Sequence, residues 1–208
     1  GSLSTQSETD ALVRGITIVV PVYNSEQILP TLAARVTALF SGRDAAYEII
    51  LVNDCSRDGS WQVIADLAAG DPRIRGIDLM RNYHQHNALL CGIRAARYDV
   101  TVTMDDDLQH PPEEIPQLLD RLAEGYDVVY GAPRELPHGL LRNLASAMTK
   151  VALQGAIGAE TARRISAFRV FRTELRDAFR TFSGPHVSID VLLTWGSTRF
   201  THIFVRHE

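Results

Sequence analysis

The sequence predicts an α/β protein of one domain, built on a mostly parallel sheet flanked by helices. Three observations predict it. Short runs rich in β-branched residues alternate with stretches of helical spacing from Ile16 to Tyr130. Such a β-α-β-α rhythm calls for crossover helices, and so for a parallel sheet covered on both faces. A chain of 208 residues with 45% hydrophobic content supplies one sizeable core rather than two.

Residues 16–22 are a β-branched run, and Pro21 near its end stops the strand. Over 26–40, Ile28, Leu29, Leu32, Val36 and Leu39 recur at helical spacing. Residues 47–52 are a second apolar run, and 60–69 a helix closed by Gly70 and Pro72. A strand over 74–79 and a helix over 87–96 follow. The fourth strand, 100–104, runs directly into Asp105-Asp106-Asp107. Pro111-Pro112 suit the start of a helix over 113–124, and 127–130 read as a fifth strand. After Gly131 the rhythm loosens. Residues 139–157 set Leu141, Leu144, Met148 and Val151 on one stripe, which fits a core-facing helix or an element lying in a lipid interface. A strand over 165–171, a helix over 190–195 and a last strand over 200–205 complete the reading.

Composition narrows the function. The net charge of −4 with 22% charged residues is ordinary for a soluble domain and offers no basic face for nucleic acid. Cys55 and Cys91 lack metal-type spacing and read as reduced thiols. No apolar run reaches the roughly 18 residues of a membrane span. Gly1-Ser2 read as a tag remnant, and 3–14 as a loose, polar leader. The abrupt end at Arg206-His207-Glu208 reads as a truncation.

The strongest chemical signal is Asp105-Asp106-Asp107-Leu108-Gln109, at the carboxyl end of a strand, where open parallel sheets bind ligands. On an extended segment alternate side chains share a side, so Asp105 and Asp107 can point together and Asp106 elsewhere. Two such carboxylates make a hard oxygen site for Mg²⁺ or Mn²⁺ and, through it, for a diphosphate. A solvated acidic turn is the plain alternative, but three adjacent carboxylates repel unless a cation joins them. The loop from Asn53-Asp54 to Ser60 follows the second strand and is equally readable as a capped turn or a ligand loop. Tyr23, after the first strand, could stack on a base or fill a turn.

Taken together, Val20-Pro21-Val22-Tyr23-Asn24, Asn53-Asp54-Cys55-Ser56-Arg57-Asp58-Gly59-Ser60, Arg81-Asn82-Tyr83 and Asp105-Asp106-Asp107-Leu108-Gln109-His110-Pro111-Pro112-Glu113 resemble the family-2 inverting glycosyltransferases of the GT-A fold. The last segment is similar to the branch that acts on polyprenyl (dolichyl or undecaprenyl) phosphates. The resemblance implies a GT-A domain over 15–208, with a nucleotide-sugar half to about 131 and an acceptor half from 132. It implies that Pro21, Tyr23, Glu26, Asn53 and Asp54 meet the nucleoside, and that Asp106 lies beside the donor. Asp105, Asp107 and Gln109 would hold the metal and diphosphate of a UDP-, GDP- or dTDP-sugar. Arg142 and Ser146, four apart and so on one helix face, would hold the lipid phosphate. Arg169 would meet a phosphate or pair with an internal carboxylate. A cytoplasmic place at the inner face of the cell membrane goes with such an acceptor.

Three other readings share some of these features. A transferase to a sugar hydroxyl would need a general base, and Asp190 is the one candidate in the second half. A haloacid-dehalogenase-type phosphatase also places an acidic pair after a strand, but Gln109 stands where it needs Thr or Val. An inactive nucleotide-binding module would bind a diphosphate and transfer nothing.

Overall fold

The computed structural model describes residues 14–134 and 167–208. In chain order the elements are β1 (Gly15–Val22), α1 (Leu29–Phe40), β2 (Ala46–Asn53), α2 (Ser60–Gly70), β3 (Ile74–Asp78), α3 (Gln85–Ala95) and β4 (Val100–Thr103). A 3-10 turn (Pro112–Glu114) then leads into α4 (Ile115–Ala123) and β5 (Val128–Pro133). Beyond residue 166 come β6 (Arg169–Arg172), a 3-10 stretch (Thr173–Phe179), α5 (Ile189–Gly196) and β7 (Phe200–Val205). The amphipathic stretch 139–157, with Arg142 and Ser146, lies outside the described residues.

The strands form one sheet in the order β3-β2-β1-β4-β6-β5-β7. β1–β2, β2–β3, β1–β4 and β5–β7 pair in parallel, which is the mostly parallel α/β sheet the sequence predicts. β6 runs antiparallel to both β4 and β5 and separates them. Alternation along β1 sends Ile16, Ile18, Val20 and Val22 to the face covered by α1, α2 and α4, and Val19 to the face covered by α3 and α5. Because both faces are buried, these strands read as unbroken apolar runs.

Some boundaries differ from the sequence reading. α1 starts at Leu29 rather than 26, because Ser25–Ile28 closes a turn (Ile28 N donates to Ser25 O, 3.1 Å) and Pro30 sits in the first helical turn. The helix expected over 113–124 divides into the 3-10 turn and α4. α3 starts two residues early, at Gln85, which brings a polar side chain to the sheet edge.

The strand order positions the site. α1 and α2 carry the chain outward from β1 to β2 and β3 along one face. α3 returns along the other face and delivers β4 to the far flank of β1. Gly92 permits this return: a Cβ there would collide with the Val19 side chain and press on Val52 Cγ2 at 3.2 Å. The order therefore reverses between β1 and β4, where open α/β sheets hold their ligands.

On the α3 and α5 face, β4 is polar. Thr101 Oγ1 lies 2.8 Å from Thr173 Oγ1. Arg169, only 1% exposed, donates to Thr103 Oγ1 (2.8 Å) and to Asp190 Oδ1 and Oδ2 (3.2 and 3.4 Å). The Tyr130 hydroxyl donates to Asp190 Oδ1 at 2.8 Å. Burial, with the Asp190 charge added, pushes Tyr130 well above its ordinary value and keeps it a donor. Of the two roles expected for Arg169, the structure shows the internal carboxylate: its register opposite Thr103 turns the guanidinium into the core. On the other face, Arg35 of α1 holds Glu113 (2.7 and 3.0 Å) and Glu208 (both contacts 3.0 Å), tying α1 to the turn that follows the acidic run.

Two outcomes are expected. Asp190→Ala leaves Arg169 buried without its carboxylate and should cost about 3–5 kcal/mol in urea unfolding. The pair Arg169→Met/Asp190→Leu should recover most of that loss, and an Asp190→Ala change below ~1 kcal/mol would refute the buried pair. Arg35→Ala should lower the melting temperature slightly at pH 7. Arg35 holds Glu113 and Glu208 below the usual carboxylate range, so their contribution exists above a pH of about 4.3 and is lost as pH falls through their lowered values. Melting curves of the two proteins should therefore converge in acid.

Candidate active site

Past Thr103 the chain leaves the ladder, and Met104 and Leu108 anchor the acidic run in the core on either side. A cleft of about 250 Å³ opens there. Its walls come from Pro21 at the end of β1 and from four loops: Tyr23 after β1, Asp54 after β2, Gln85 and its neighbours before α3, and Asp105–Asp107 after β4.

The three aspartates differ. Asp105 Oδ1 accepts a hydrogen bond from Gln85 Nε2. Asp107 is exposed, and its Oδ1 accepts from Gln109 N at 3.1 Å, closing a turn. Asp106 turns back to the β1–α1 loop, where its Oδ2 accepts from Tyr23 N (3.0 Å) and from the Ser25 hydroxyl. Burial raises the Asp106 carboxyl above its usual range, and the neighbouring Asp107 charge adds to this. Donation from Ser25 and Tyr23 opposes both. Asp106 thus spends its carboxylate on holding Tyr23 at the rim, where the residue is 45% exposed.

Asp54 is 4% exposed and is fixed by its own N–H to Val22 O (2.9 Å) and by Tyr83 N donating to its Oδ1 (2.7 Å). Its neighbour Asn53 is not at the cleft. As the last β2 residue it turns sideways, donating to Asp78 Oδ1 (2.8 Å) and accepting from Ser56 N (3.3 Å). Glu26 is also outside the cleft walls: its carboxylate accepts from Gly59 N (3.0 Å) and so caps α2. Gln109 likewise lies off the cleft, with its carbonyl accepting from Glu208 N at 3.2 Å. Asn53 and Glu26 are bonded through their side chains to β3 and to the β2–α2 loop, Gln109 is bonded through its backbone, and none of the three lines the cleft. Asn82, His84 and Gln85 line the cleft instead. The sequence marks Asn82 within the Arg81-Asn82-Tyr83 segment, and His84 and Gln85 only as polar residues ahead of a helix.

Backbone strain gathers here. Among the described residues, Asn24, Cys55, His84 and Leu108 are the non-glycine residues with positive φ (51°, 58°, 70° and 59°), one in each of the four loops that frame the cleft. Left-handed backbone at such residues persists only where the surroundings enforce it, and it concentrates at functional sites.

Among the described residues no group of three or more His, Cys, Asp or Glu side chains forms a closed metal cage. Asp105 and Asp107 fit a cation of the Mg²⁺ type, which takes one or two protein carboxylates and completes its shell with waters and substrate phosphates.

Comparison with known proteins agrees with this geometry. The family described as Glycosyl transferase family 2 matches residues 17–179. An undecaprenyl-phosphate 4-deoxy-4-formamido-L-arabinose transferase of Aeromonas hydrophila subsp. hydrophila is 36% identical over 196 residues, covering 94% of this chain and 60% of the relative. Proteins of the same name from Pseudomonas fluorescens (37% over 193 residues, 92% and 57%) and Yersinia pestis (38% over 197 residues, 94% and 60%) are similar to it as well. The chain thus spans about three-fifths of the length of these relatives. Among solved structures, glucosyl-3-phosphoglycerate synthase of Mycobacterium tuberculosis with Mn²⁺ and UDP-glucose superposes with a TM-score of 0.66 at 20% identity, covering 100% of this chain and 76% of that one. A mannosyltransferase of Pyrobaculum calidifontis with GDP-Man and Mn²⁺ gives 0.63 at 14% identity, covering 98% and 64%. The fold is theirs, and with the family match spanning most of the sheet, the chain belongs to glycosyl transferase family 2.

Proposed function

We propose that the chain is the catalytic unit of an inverting transferase that moves a sugar from a nucleoside diphosphate sugar to a polyprenyl phosphate. The observation that carries this reading is the convergence of Asp54, Asp105 and Asp107 on one cleft at the strand-order reversal. The naming of its 36–38% identical relatives as undecaprenyl-phosphate transferases supports the acceptor.

Tyr23, held by Asp106, offers a ring face to a base or ribose at the rim. Asp54 faces the cleft from a fixed position and suits an imide or amide N–H, a donor that uracil, thymine and guanine all possess. Asp105 and Asp107 would hold a divalent cation, Mg²⁺ or Mn²⁺, whose charge would stabilise the departing diphosphate. Arg142 and Ser146 are the proposed holders of the acceptor phosphate. An acceptor of that kind needs no general base, since a phosphate monoester is already ionised near neutrality (second pKa ~6). The burial of Asp190 against Arg169 and Tyr130 supports this: the one base candidate of the second half is committed to a core ion pair. A polyprenyl acceptor puts the place of action at a membrane surface. No helix among the described residues is long and apolar enough to cross a membrane.

Thermal-shift measurements with UDP, GDP and dTDP, each with and without Mn²⁺, test the donor half. One diphosphate should stabilise the protein by roughly 2.7 kcal/mol at a hundred times its Kd, and less without the metal. Indifference to all three would sink the reading. Asp107→Ala should remove the metal-dependent part of the shift, and a full shift in that variant would place the cation elsewhere. For the acceptor, label from the matching sugar donor should enter undecaprenyl phosphate in detergent. Label found only on a sugar hydroxyl acceptor would overturn the polyprenyl assignment.

A further inference from the structure

Gln85 reaches the acidic run from the opposite wall of the cleft. It is the first residue of α3, half-buried at the cleft wall, and its Nε2 donates to Asp105 Oδ1. Its backbone is braced on both sides. Ahead of it, Tyr83 N is bonded to Asp54 (2.7 Å), Asn87 Nδ2 donates to Tyr83 O (2.7 Å), and His84 N donates to Asn82 Oδ1 (2.9 Å). His84 takes up the left-handed turn that this bracing requires. Behind it, His86 Nδ1 accepts from Ile189 N at 3.0 Å, joining the start of α3 to the start of α5. The amide is therefore presented from a fixed backbone rather than from a mobile loop.

We infer that Gln85 is a positioning residue that orients the Asp105 carboxylate for the cation and diphosphate, an inference that rests on the donor site proposed above. The residue type is what such a role needs. A neutral amide directs one carboxylate oxygen by donation and leaves the negative charge available to a cation. A Lys or Arg at this place would cancel that charge, and a Glu would add a repelling one. Partners that orient metal-ligating carboxylates in this way matter nearly as much as the ligands themselves. The bracing also runs from Asp54 through the α3 start to α5, so the nucleoside wall, the acidic run and the second half of the chain share one rigid support.

The test uses Gln85→Met, which keeps the length of the side chain and removes the donor, with Gln85→Ser in parallel. Mn²⁺ binding is read by electron paramagnetic resonance in the presence of the nucleoside diphosphate that stabilises the wild type. Affinity for the same diphosphate without metal, and the melting temperature of the ligand-free protein, are measured alongside. The expected result is Mn²⁺ affinity weakened by roughly 10- to 100-fold in both variants, with metal-free diphosphate affinity and melting temperature close to wild type. Wild-type Mn²⁺ affinity in both variants would overturn the inference. Equal losses of metal-free and metal-dependent binding would also overturn it, by showing that Gln85 merely holds the loop. A wild-type protein without Mn²⁺-dependent diphosphate binding would remove the donor site itself, an outcome distinct from both.

Discussion

The docking of α3 against β1, through Gly92 over Val19, is the packing on which the site depends. Because α3 lies on the face opposite α1 and α2, it returns the chain to the far flank of β1 rather than extending the sheet past β3. β1 and β4 become parallel neighbours, and their carboxyl ends open on a common crevice. The same helix presents Gln85 to Asp105 and His86 to α5, so the element that sets the strand order also trims the site.

Around that crevice the loops are stitched to one another as well as to themselves. Asp106 holds the β1–α1 loop, Glu26 caps α2, Asp54 holds the α3 approach, and Asn53 braces β3. Each bond joins a residue of one loop to a neighbouring loop or strand. The strain at Asn24, Cys55, His84 and Leu108 is the local cost of this mutual bracing. What results is a wall of fixed carboxylates. For a ligand that carries a diphosphate and a cation, fixed donors need not be reorganised on binding.

The second half of the sheet is anchored differently. Antiparallel β6 brings Arg169 beneath Thr103, two residues ahead of the acidic run, and Asp190 and Tyr130 close around it. A buried ion pair of this kind is a weak source of net stability but a costly thing to break. It ties the position of β4 to that of α5.

By itself the sequence determined the α/β class, the order and type of most elements, and the prominence of Asp105-Asp106-Asp107. These are local quantities: apolar periodicity, turn chemistry, and acidic residues following directly on a strand. It also marked Tyr23 and Asp54, since both follow a strand at the edge where ligands bind. Only the tertiary structure decided that β6 enters between β4 and β5, that Arg169 serves Asp190, that Asn53 braces β3 and Glu26 the start of α2, and that Gln85 meets Asp105. Each of those outcomes depends on a contact between residues 20 or more apart in sequence, or on which loop reaches a donor first. Periodicity fixes which way a side chain faces, and packing alone fixes what stands in front of it.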